Sequence, residues 1–596
     1  RQMSSCAEFS LLSRKTILMF IPSNLHRLFV PLLCASSAVL GHAAVRLPAI
    51  FGDHMVLQRD IGVPVWGWAD PGETVTVTAG GDKASATAGP DGQWSVKLAK
   101  LAASSKPIEV TVAGKNTITL TDVLVGDVWV CSGQSNMEFG IKAFMTPAEL
   151  AAAGEPQIRL FSVPKWVAPA PARDIAPAPD NMPALGKWQV CTPEMLVKTG
   201  EWSGFPAVGY YFGREIHAFT RQPVGLIGSA WGGTRINSWT SLKTLQVNPS
   251  MKSMAKGALD FQENYEQIKK TYETVTLPQW NATLAKWKQD NKALFDAYEA
   301  EMKAWPQLAR EAAANKQPAP PRPRGPQPPR APVDPVHSNQ NSAALFNGMI
   351  SPLIPYAIKG AIWYQGESNG DQPVFYRTAL PALINDWRAY WGQGDFPFLI
   401  VQLPNFMAVK PQPSESTWAG VRESQAKALA LPNTGVAVTI DVGDAGNIHP
   451  PDKLDVGRRL ALVARRVAYG EKTGVHTGPT FKSMKIEGSR VRITFENTGG
   501  GLVLGTAPEH FYLSQRKPVP AQPPVKLEGF AVAGSDYKYV WADAVIDGDT
   551  VVLTNNTVLQ PMAVRYGWAD NPVCNLYNKE GLPAMPFRTD ELPLGK

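Results

Sequence analysis

The sequence predicts an α/β protein with a parallel central sheet and β-rich regions at both ends. Between about residues 122 and 478, short buried strands alternate with helical stretches, a pattern typical of a parallel sheet covered by helices. Over 45–121 and again over 479–596, short segments alternate between apolar and polar residues and are broken by turn residues. Such spacing favours small β-sandwich regions.

Residues 1–44 have the features of a secretory signal peptide. Basic residues, the last of them Arg27, precede an apolar run over 28–40, and small residues follow at 41–44. We therefore expect a mature chain that begins near Val45 and is secreted or periplasmic. No other run reaches the roughly 18 apolar residues that a membrane span requires, so no membrane contact is expected.

The N-terminal β-rich region, 45–121, begins with a clear strand pattern. In the segment 63–68, the alternation places Trp66 and Trp68 on one face of a strand. Turn signals at 80–81 and 90–92 separate this segment from later ones. This spacing predicts a β-sandwich.

The central region, 122–478, contains the strands and helices expected of the parallel sheet. The predicted strands are Val123–Cys131, Val224–Ser229, Gly360–Tyr364, Phe398–Gln402 and Val436–Asp441, and the predicted helices include Val208–Thr220 and Asp455–Ala468. Ligands bind such sheets at the carboxyl ends of the strands, so the functional residues should follow these strands. An insertion at 250–343, helical and then proline-rich, is either a lid or partner-binding arm or a surface decoration.

Composition and charge exclude several function classes. Hydrophobic residues at 44% and charged residues at 18% describe an ordinary folded protein. The formal charge of +7 is carried in good part by the signal region, so no nucleic-acid surface is expected. Five cysteines without CxxC spacing predict neither a zinc site nor a disulfide framework, and we expect no metal or cofactor. The sequence leaves the oligomeric state open.

Ser135 is the candidate nucleophile. The strand that begins at Val123 stops at a Ser-Gly-Gln-Ser-Asn turn over 132–136, with helix-compatible sequence beyond it. A serine held there has an exposed hydroxyl, while its own N–H and neighbouring N–H groups can stabilise an oxyanion. The alternative is a turn of small residues with no chemistry.

Two further strand ends carry groups that an oxyanion hole requires. Gly232 and Gly233 follow the strand Val224–Ser229, and paired glycines let backbone N–H groups approach a ligand. Gln365 follows the strand Gly360–Tyr364, where a side-chain amide can supply another hydrogen bond. Glu367 is expected to hold loop backbone rather than to react, because a second carboxylate would repel the anion that forms.

His449 is the candidate general base. It lies on the loop after the last predicted strand and is preceded by Asp441 and Asp444. A histidine oriented by a carboxylate is the usual partner of a catalytic serine.

Taken together, these segments resemble the sialate O-acetylesterase-like branch of the SGNH hydrolases. The resemblance covers most of 45–596 and rests on five groups of residues: the β-rich N-terminal region, Gly133-Gln134-Ser135-Asn136, Trp231-Gly232-Gly233-Thr234, Gln365-Gly366-Glu367-Ser368-Asn369 and Ile448-His449-Pro450, together with the family's ending around 565–568 and 582–589. It implies an SGNH-type, flavodoxin-like parallel-sheet hydrolase domain over 122–478, with accessory β-sandwich regions at 45–121 and 479–596.

The resemblance also implies roles for individual residues. Ser135 would be the nucleophile and His449 its base, while the N–H of Ser135, a glycine N–H at Gly233 or Gly232 and the Gln365 amide would form the oxyanion hole. Many SGNH hydrolases carry the triad acid three residues before the histidine, where this chain has Gly446. We therefore expect the acid to be Asp444 in preference to Asp441.

The function implied is that of a serine esterase that removes O-acetyl groups from glycans. Plant hemicellulose (xylan or xyloglucan) is the favoured substrate and acetylated sialic acid the alternative. The candidates for contacting the substrate are Trp231, Arg235, Trp363 and Glu367. Two other classes stay open: a glycoside hydrolase using paired carboxylates such as Glu367 with Asp441 or Asp444, and a glycan-binding protein without catalysis.

Overall fold

The computed structural model describes residues 44–508, 510–512, 517–519 and 525–594. The predicted signal peptide, 1–44, lies outside this range apart from its last residue. Among the described residues, no helix combines the length and the apolar character needed to cross a membrane.

The N-terminal region is built from short strands that lead into one long strand. The strands are β1 (Val56–Gln58), β2 (Gly62–Trp68), β3 (Thr74–Ala79), β4 (Asp82–Thr87), β5 (Gln93–Lys100), β6 (Ser104–Ala113) and β7 (Thr117–Gly133). β2 pairs with β5, and β3 pairs with β4 and β6, all antiparallel. Burial alternates along β2 as the sequence predicts, with Val63 and Val65 inside.

β7 joins the N-terminal region to the central sheet. Its first part pairs with β6 and β1, and its last part pairs with two central strands. The strand therefore crosses the predicted boundary at residue 121. Its residues from Val123 onward are buried on both sides, as expected where a parallel sheet is covered on both faces.

The central sheet has the order β13-β12-β11-β7-β10-β8-β9. Its remaining strands are β8 (Glu155–Ser162), β9 (Gln189–Cys191), β10 (Val224–Ala230), β11 (Gly360–Tyr364), β12 (Phe398–Val401) and β13 (Thr434–Ala437). All neighbours are parallel except β8 and β9. At most of their ends, the predicted strands agree with the observed strands within one or two residues. The last is displaced, because pairing stops at Ala437 although the chain stays buried through Asp441.

Helices cover both faces of this sheet. They are α1 (Ser135–Glu138), α2 (Pro147–Ala151), α3 (Pro193–Lys198), α4 (Ala207–Thr220), α5 (Leu242–Val247), α6 (Lys252–Glu263), α7 (Tyr265–Thr271), α8 (Leu277–Asp290), α9 (Lys292–Ala314), α10 (Pro373–Trp391), α11 (Thr417–Lys427) and α12 (Lys453–Val467). Phe212 of α4 and Leu460 of α12 belong to one hydrophobic core, and Leu383 and Trp387 of α10 belong to another.

The insertion at 250–343 contains α6 to α9, followed by residues 317–334 without regular secondary structure. The proline-rich segment lies against the last helix, since Trp305 Nε1 donates a hydrogen bond to the carbonyl of Pro320 at 2.9 Å. The chain then returns to the central sheet near Asn339.

The C-terminal region contains two four-stranded sheets, β14-β15-β22-β21 and β20-β19-β23-β25. Its strands are β14 (Thr480–Glu487), β15 (Arg490–Glu496), β16 (Leu502–Leu504), β17 (His510–Tyr512), β18 (Lys517–Val519), β19 (Phe530–Ala533), β20 (Val540–Trp541), β21 (Asp543–Asp547), β22 (Thr550–Thr554), β23 (Ala563–Tyr566), β24 (Leu576–Asn578) and β25 (Phe587–Arg588). Side chains of both sheets, among them Val491, Val551, Phe530 and Val564, share one hydrophobic core.

Candidate active site

Ser135 lies where β7 ends and α1 begins. The turn before it requires glycine at position 133, which has a φ of +136°. A Cβ on Gly133 would lie 2.1 Å from the carbonyl oxygen of Tyr364 on the neighbouring strand, so no larger residue fits. This close approach of the two strand ends brings the serine to the carboxyl edge of the sheet, as the sequence predicts.

The His449 imidazole contacts this serine directly. His449 Nε2 lies 2.9 Å from Ser135 Oγ, within hydrogen-bond distance, although the two residues are 314 positions apart in the sequence. Phe139 and Trp202 pack edge-on against the imidazole, with ring centroids 5.6 and 5.4 Å away. Trp202 was not predicted; it lies in a turn before α4 and helps to fix the plane of the ring.

The environment keeps His449 neutral. Burial, and then the positive charge of Lys453, lower the pKa of the imidazole from its usual 6.5 to about 4. A neutral imidazole at pH 7 can accept the serine proton, which is the requirement for a general base.

The two candidate acids have different surroundings, and neither contacts His449. Asp441 forms a buried ion pair with Arg459, at 2.5 and 2.8 Å, and accepts a hydrogen bond from Tyr577 at 3.0 Å. Asp444 Oδ1 accepts the N–H of Gly446, while its Oδ2 is buried and has no hydrogen-bond partner among the described residues. The structure therefore contains a Ser135–His449 pair without the hydrogen bond from the imidazole to Asp444 that the sequence predicts.

Two of the predicted oxyanion donors, the N–H groups of Ser135 and Gly233, are free. In the part of the chain that the structure describes, the backbone N–H groups of Ser135 and Gly233 have no hydrogen-bond partner. Gly232 is different, because its N–H donates to Glu138 Oε2 at 2.5 Å. A Cβ on Gly232 would lie 3.2 Å from Ser135 Cβ, so Gly232 packs directly beside the serine.

The Gln365 amide, predicted to donate to the oxyanion, is surrounded by protein acceptors in this structure. Gln365 is fully buried, and its Nε2 is surrounded by three protein acceptors: Asn369 Oδ1 at 2.9 Å, and Gln134 Oε1 and the Thr234 carbonyl, each at 3.2 Å. The amide instead ties three strand ends together. Gln134 has a similar role, because its Oε1 also lies within hydrogen-bond distance of the N–H groups of Gly366 and Ser368.

A buried polar network lies beneath the serine and was not predicted. Asn136 Nδ2 donates to Glu367 Oε1 at 2.5 Å and to the carbonyl of Ile448, the residue before the histidine, at 3.0 Å. Asn136 Oδ1 accepts from Lys453 Nζ at 2.5 Å. Burial lowers the pKa of Lys453 to about 7 and raises that of Glu367. The network connects the turn that carries Ser135 with the loop that carries His449.

The residues predicted to contact the substrate divide into two groups. Trp363 is fully buried among Trp239, Trp387 and Phe398, so its assignment to substrate binding is wrong: β11 is covered on both faces. The Glu367 carboxylate is buried and accepts a hydrogen bond from Asn136, so it likewise does not face a substrate.

Trp231 and Arg235 remain beside the site. Trp231 is half-buried, with Lys165 Nζ 5.4 Å from its ring centroid. The guanidinium of Arg235 has no hydrogen bond or ion pair with any described residue. Of the predicted contact residues, Arg235 is therefore the one with a charge free to meet a ligand.

The end of the insertion supports the glycine pair. Asn339 Nδ2 donates to the carbonyl of Gly232 at 3.1 Å, and Gln340 Nε2 donates to that of Gly233 at 2.8 Å. These bonds fix carbonyl groups and leave the Gly233 N–H free. Across the described ranges, no group of three or more His, Cys, Asp or Glu side chains is arranged to hold a metal ion.

The similarity between this chain and known proteins covers nearly its whole length. Residues 339–465 match the family model of a carbohydrate esterase, sialic acid-specific acetylesterase. Sialate O-acetylesterase of Mus musculus is 30% identical over 584 residues, covering 91% of this chain and 94% of the relative. That of Homo sapiens is 28% identical over 613 residues, covering 96% and 97%.

A solved structure shows the same relationship. The crystal structure of a novel carbohydrate acetylesterase from Xanthomonas citri has a TM-score of 0.68 and 34% identity, and the match covers 92% of this chain and 100% of that chain. These matches confirm the resemblance inferred from the four strand-end segments. The chain belongs to the sialate O-acetylesterase-like family of carbohydrate esterases.

Proposed function

We propose that the protein is a secreted or periplasmic serine esterase that removes O-acetyl groups from plant hemicellulose, such as xylan or xyloglucan, or from its oligosaccharides. Family membership makes it a carbohydrate O-acetylesterase, which is a carboxylic ester hydrolase. The observation that carries the residue assignment is the 2.9 Å contact between Ser135 Oγ and His449 Nε2 at the end of β7. The fold proposed with it is SGNH-type, with β-sandwich regions at both ends.

The reaction proceeds in two steps. His449 takes the Ser135 proton as Oγ attacks the acetyl carbonyl, and the Ser135 and Gly233 N–H groups stabilise the tetrahedral oxyanion. The sugar oxygen leaves with the proton returned by His449, which gives an acetyl-serine. Water, deprotonated by the same imidazole, then releases acetate and restores the serine.

The carboxylates argue against the glycosidase alternative. A glycoside hydrolase needs two carboxyl groups facing one sugar ring. Asp441 is held by Arg459, and Glu367 is buried on Asn136, so neither is directed at a substrate.

Acetylated sialic acid is a second candidate substrate, favoured by one observation. Arg235 follows the Gly232–Gly233 pair, and its guanidinium has no charged partner among the described residues. An arginine can pair with a sugar carboxylate in two hydrogen bonds. Hemicellulose backbones of neutral sugars offer no such group.

Acetate release from a panel of substrates separates the candidates. We expect release from acetylated xylan or xyloglucan oligosaccharides with a kcat/KM higher than for O-acetylated sialic acid, and no glycosidic cleavage. Arg235→Ala should leave the hemicellulose KM within about twofold, because no carboxylate is lost. A KM for O-acetylated sialic acid that is the lowest of the panel and rises at least about tenfold in Arg235→Ala would instead identify a sialate esterase.

The pH dependence of activity should reflect the low pKa of His449. Since the base must be neutral, kcat/KM for p-nitrophenyl acetate should rise with pH through a midpoint near 4, where an unperturbed histidine would give about 6.5. Lys453→Met removes a positive charge that disfavours the imidazolium, so the midpoint should move to higher pH. The measurement is the pH profile of initial rates.

Arg458→Met is the matched control for that shift. Arg458 is a largely exposed cation on the same helix, next to Asp455, and its loss should leave the midpoint in place. A midpoint that is unchanged in Lys453→Met would mean that the charge of Lys453 does not act on the base.

A further inference from the structure

The C-terminal region contributes a cleft that the catalytic mechanism does not use. We call it the aromatic cleft. It has a volume of about 230 Å³ and lies between the segment 413–415 and the C-terminal strands. Its principal lining side chains are Ser414, Glu415, Tyr537, Tyr539, Trp541 and Trp568.

Aromatic rings at the cleft are unusually exposed. Trp541 is 37% exposed and Tyr537 is 41% exposed. No other tryptophan of the described chain reaches this exposure. Trp541 is also held in place, since its Nε1 donates to the carbonyl of Pro411 at 2.9 Å. Fixed aromatic faces that stay in water have an apolar surface ready for a ligand with an apolar face.

The charges at the cleft are already paired. Arg565 donates to Glu415 at 2.7 Å and to Asp590 at 2.8 Å. Its guanidinium lies 4.1 Å from the ring centroid of Tyr539 and 5.0 Å from that of Trp568. Glu415 and Arg565 are the charged residues that line the cleft, and each neutralises the other. A charged ligand would find no free counter-charge here, so the cleft favours a neutral one.

The segment that lines the cleft leaves the sheet at the same edge as Ser135. Its lining segment 413–415 belongs to the connection that leaves β12 at the carboxyl end. β7 is parallel to this strand and ends at Ser135 on the same edge of the sheet. The connection that lines the cleft and the turn that carries Ser135 therefore both start at the carboxyl edge of the sheet.

We propose that the aromatic cleft binds a neutral sugar ring of a polysaccharide, as a binding site separate from the catalytic centre. Stacking of the apolar face of the sugar on the exposed rings of Trp541 and Tyr537 would supply the contact area. The proposal rests on the proposed function only in taking the ligand to be a glycan.

Affinity electrophoresis of the full chain tests this binding directly. The native gels contain soluble neutral arabinoxylan, xyloglucan or, as an anionic comparison, polysialic acid. We expect arabinoxylan or xyloglucan to slow the wild-type protein. Trp541→Ala and Tyr537→Ala should each weaken this retention by about tenfold, because each removes one stacking face.

Three controls separate binding from folding and catalysis. Trp541→Phe keeps an aromatic face without the N–H that holds Pro411, and it should retain most of the binding. The turnover of p-nitrophenyl acetate by Trp541→Ala should equal that of wild type, which shows that the variant is folded. Ser135→Ala should lose turnover but keep wild-type retention.

The proposal fails if neither neutral polysaccharide retards the wild type, if polysialic acid alone does so, or if the alanine variants are retained as strongly as wild type. The proposal for the cleft can be tested independently of the substrate assignment. Retention that depends on Trp541, together with no acetate release from xylan or xyloglucan, would overturn the proposed substrate and leave the cleft as a glycan site.

Discussion

Replacing Ser135 with alanine is expected to lower kcat for p-nitrophenyl acetate hydrolysis by roughly four orders of magnitude or more. The reason is that, in the proposed mechanism, Ser135 Oγ forms the acetyl-enzyme, and this atom lies 2.9 Å from His449 Nε2. Without the Ser135 hydroxyl, water must attack the ester directly, with only His449 and the N–H donors to assist it. Initial rates, corrected for spontaneous hydrolysis, measure the effect.

Ser132→Ala is the matched control for this substitution. Ser132 lies three residues earlier in β7, is fully buried, and has a hydroxyl without a hydrogen-bond partner. Removing that hydroxyl should change neither activity nor folding appreciably. Full esterase activity in Ser135→Ala would show that the nucleophile is another residue, and glycosidic cleavage that survives the change would favour a glycoside hydrolase.

Replacing Asp441 with asparagine is expected to lower the free energy of unfolding by about 3–5 kcal/mol. The substitution leaves Arg459 as a buried charge without its partner and weakens the hydrogen bond from Tyr577, which links the hydrolase region to β24. Urea unfolding, followed by tryptophan fluorescence, measures the loss. Measured per folded molecule, kcat should stay within about threefold of wild type, since Asp441 does not contact His449.

Asp444→Asn is the counterpart and should have the opposite signature. Asp444 Oδ2 has no partner to lose among the described residues, so stability should change little. If Asp444 orients His449 during turnover, kcat should fall by about 100-fold or more. A kcat within twofold of wild type would mean that Ser135 and His449 act without a triad acid. A larger kcat loss in Asp441→Asn than in Asp444→Asn would reverse the assignment of the acid.

The sequence predicts most accurately those segments whose own residues determine their local structure. The strand Gly360–Tyr364 is predicted with both of its ends, and α4 and α12 are predicted within two residues. Each is long or apolar enough for hydrophobic periodicity to be clear. The strand ends at Ser135 and His449 followed from the rule that parallel strands present their carboxyl ends at one edge.

The errors arise where a contact between distant segments decides the outcome. Trp363 and Gln365 look like ligand-facing residues at a strand end, but helices bury both, and the polar groups of other loops use up the Gln365 amide. Trp202 and Asn136 were overlooked for the same reason. Their partners, His449 and Ile448, lie more than 240 positions away in the sequence.

The sequence by itself determined the mixed α/β class of fold and the family, and it singled out Ser135 and His449 as candidates, because these inferences depend on residue types at the ends of strands. Only the tertiary structure decided which groups are free to act. It paired Asp441 with Arg459 and left Asp444 Oδ2 without a hydrogen-bond partner among the described residues. It also lowered the pKa of His449 through burial and Lys453, and it placed the Gln365 amide in a hydrogen-bond network. Burial and the number of hydrogen bonds that each group forms depend on which distant segments pack together. No local sequence pattern predicts that packing.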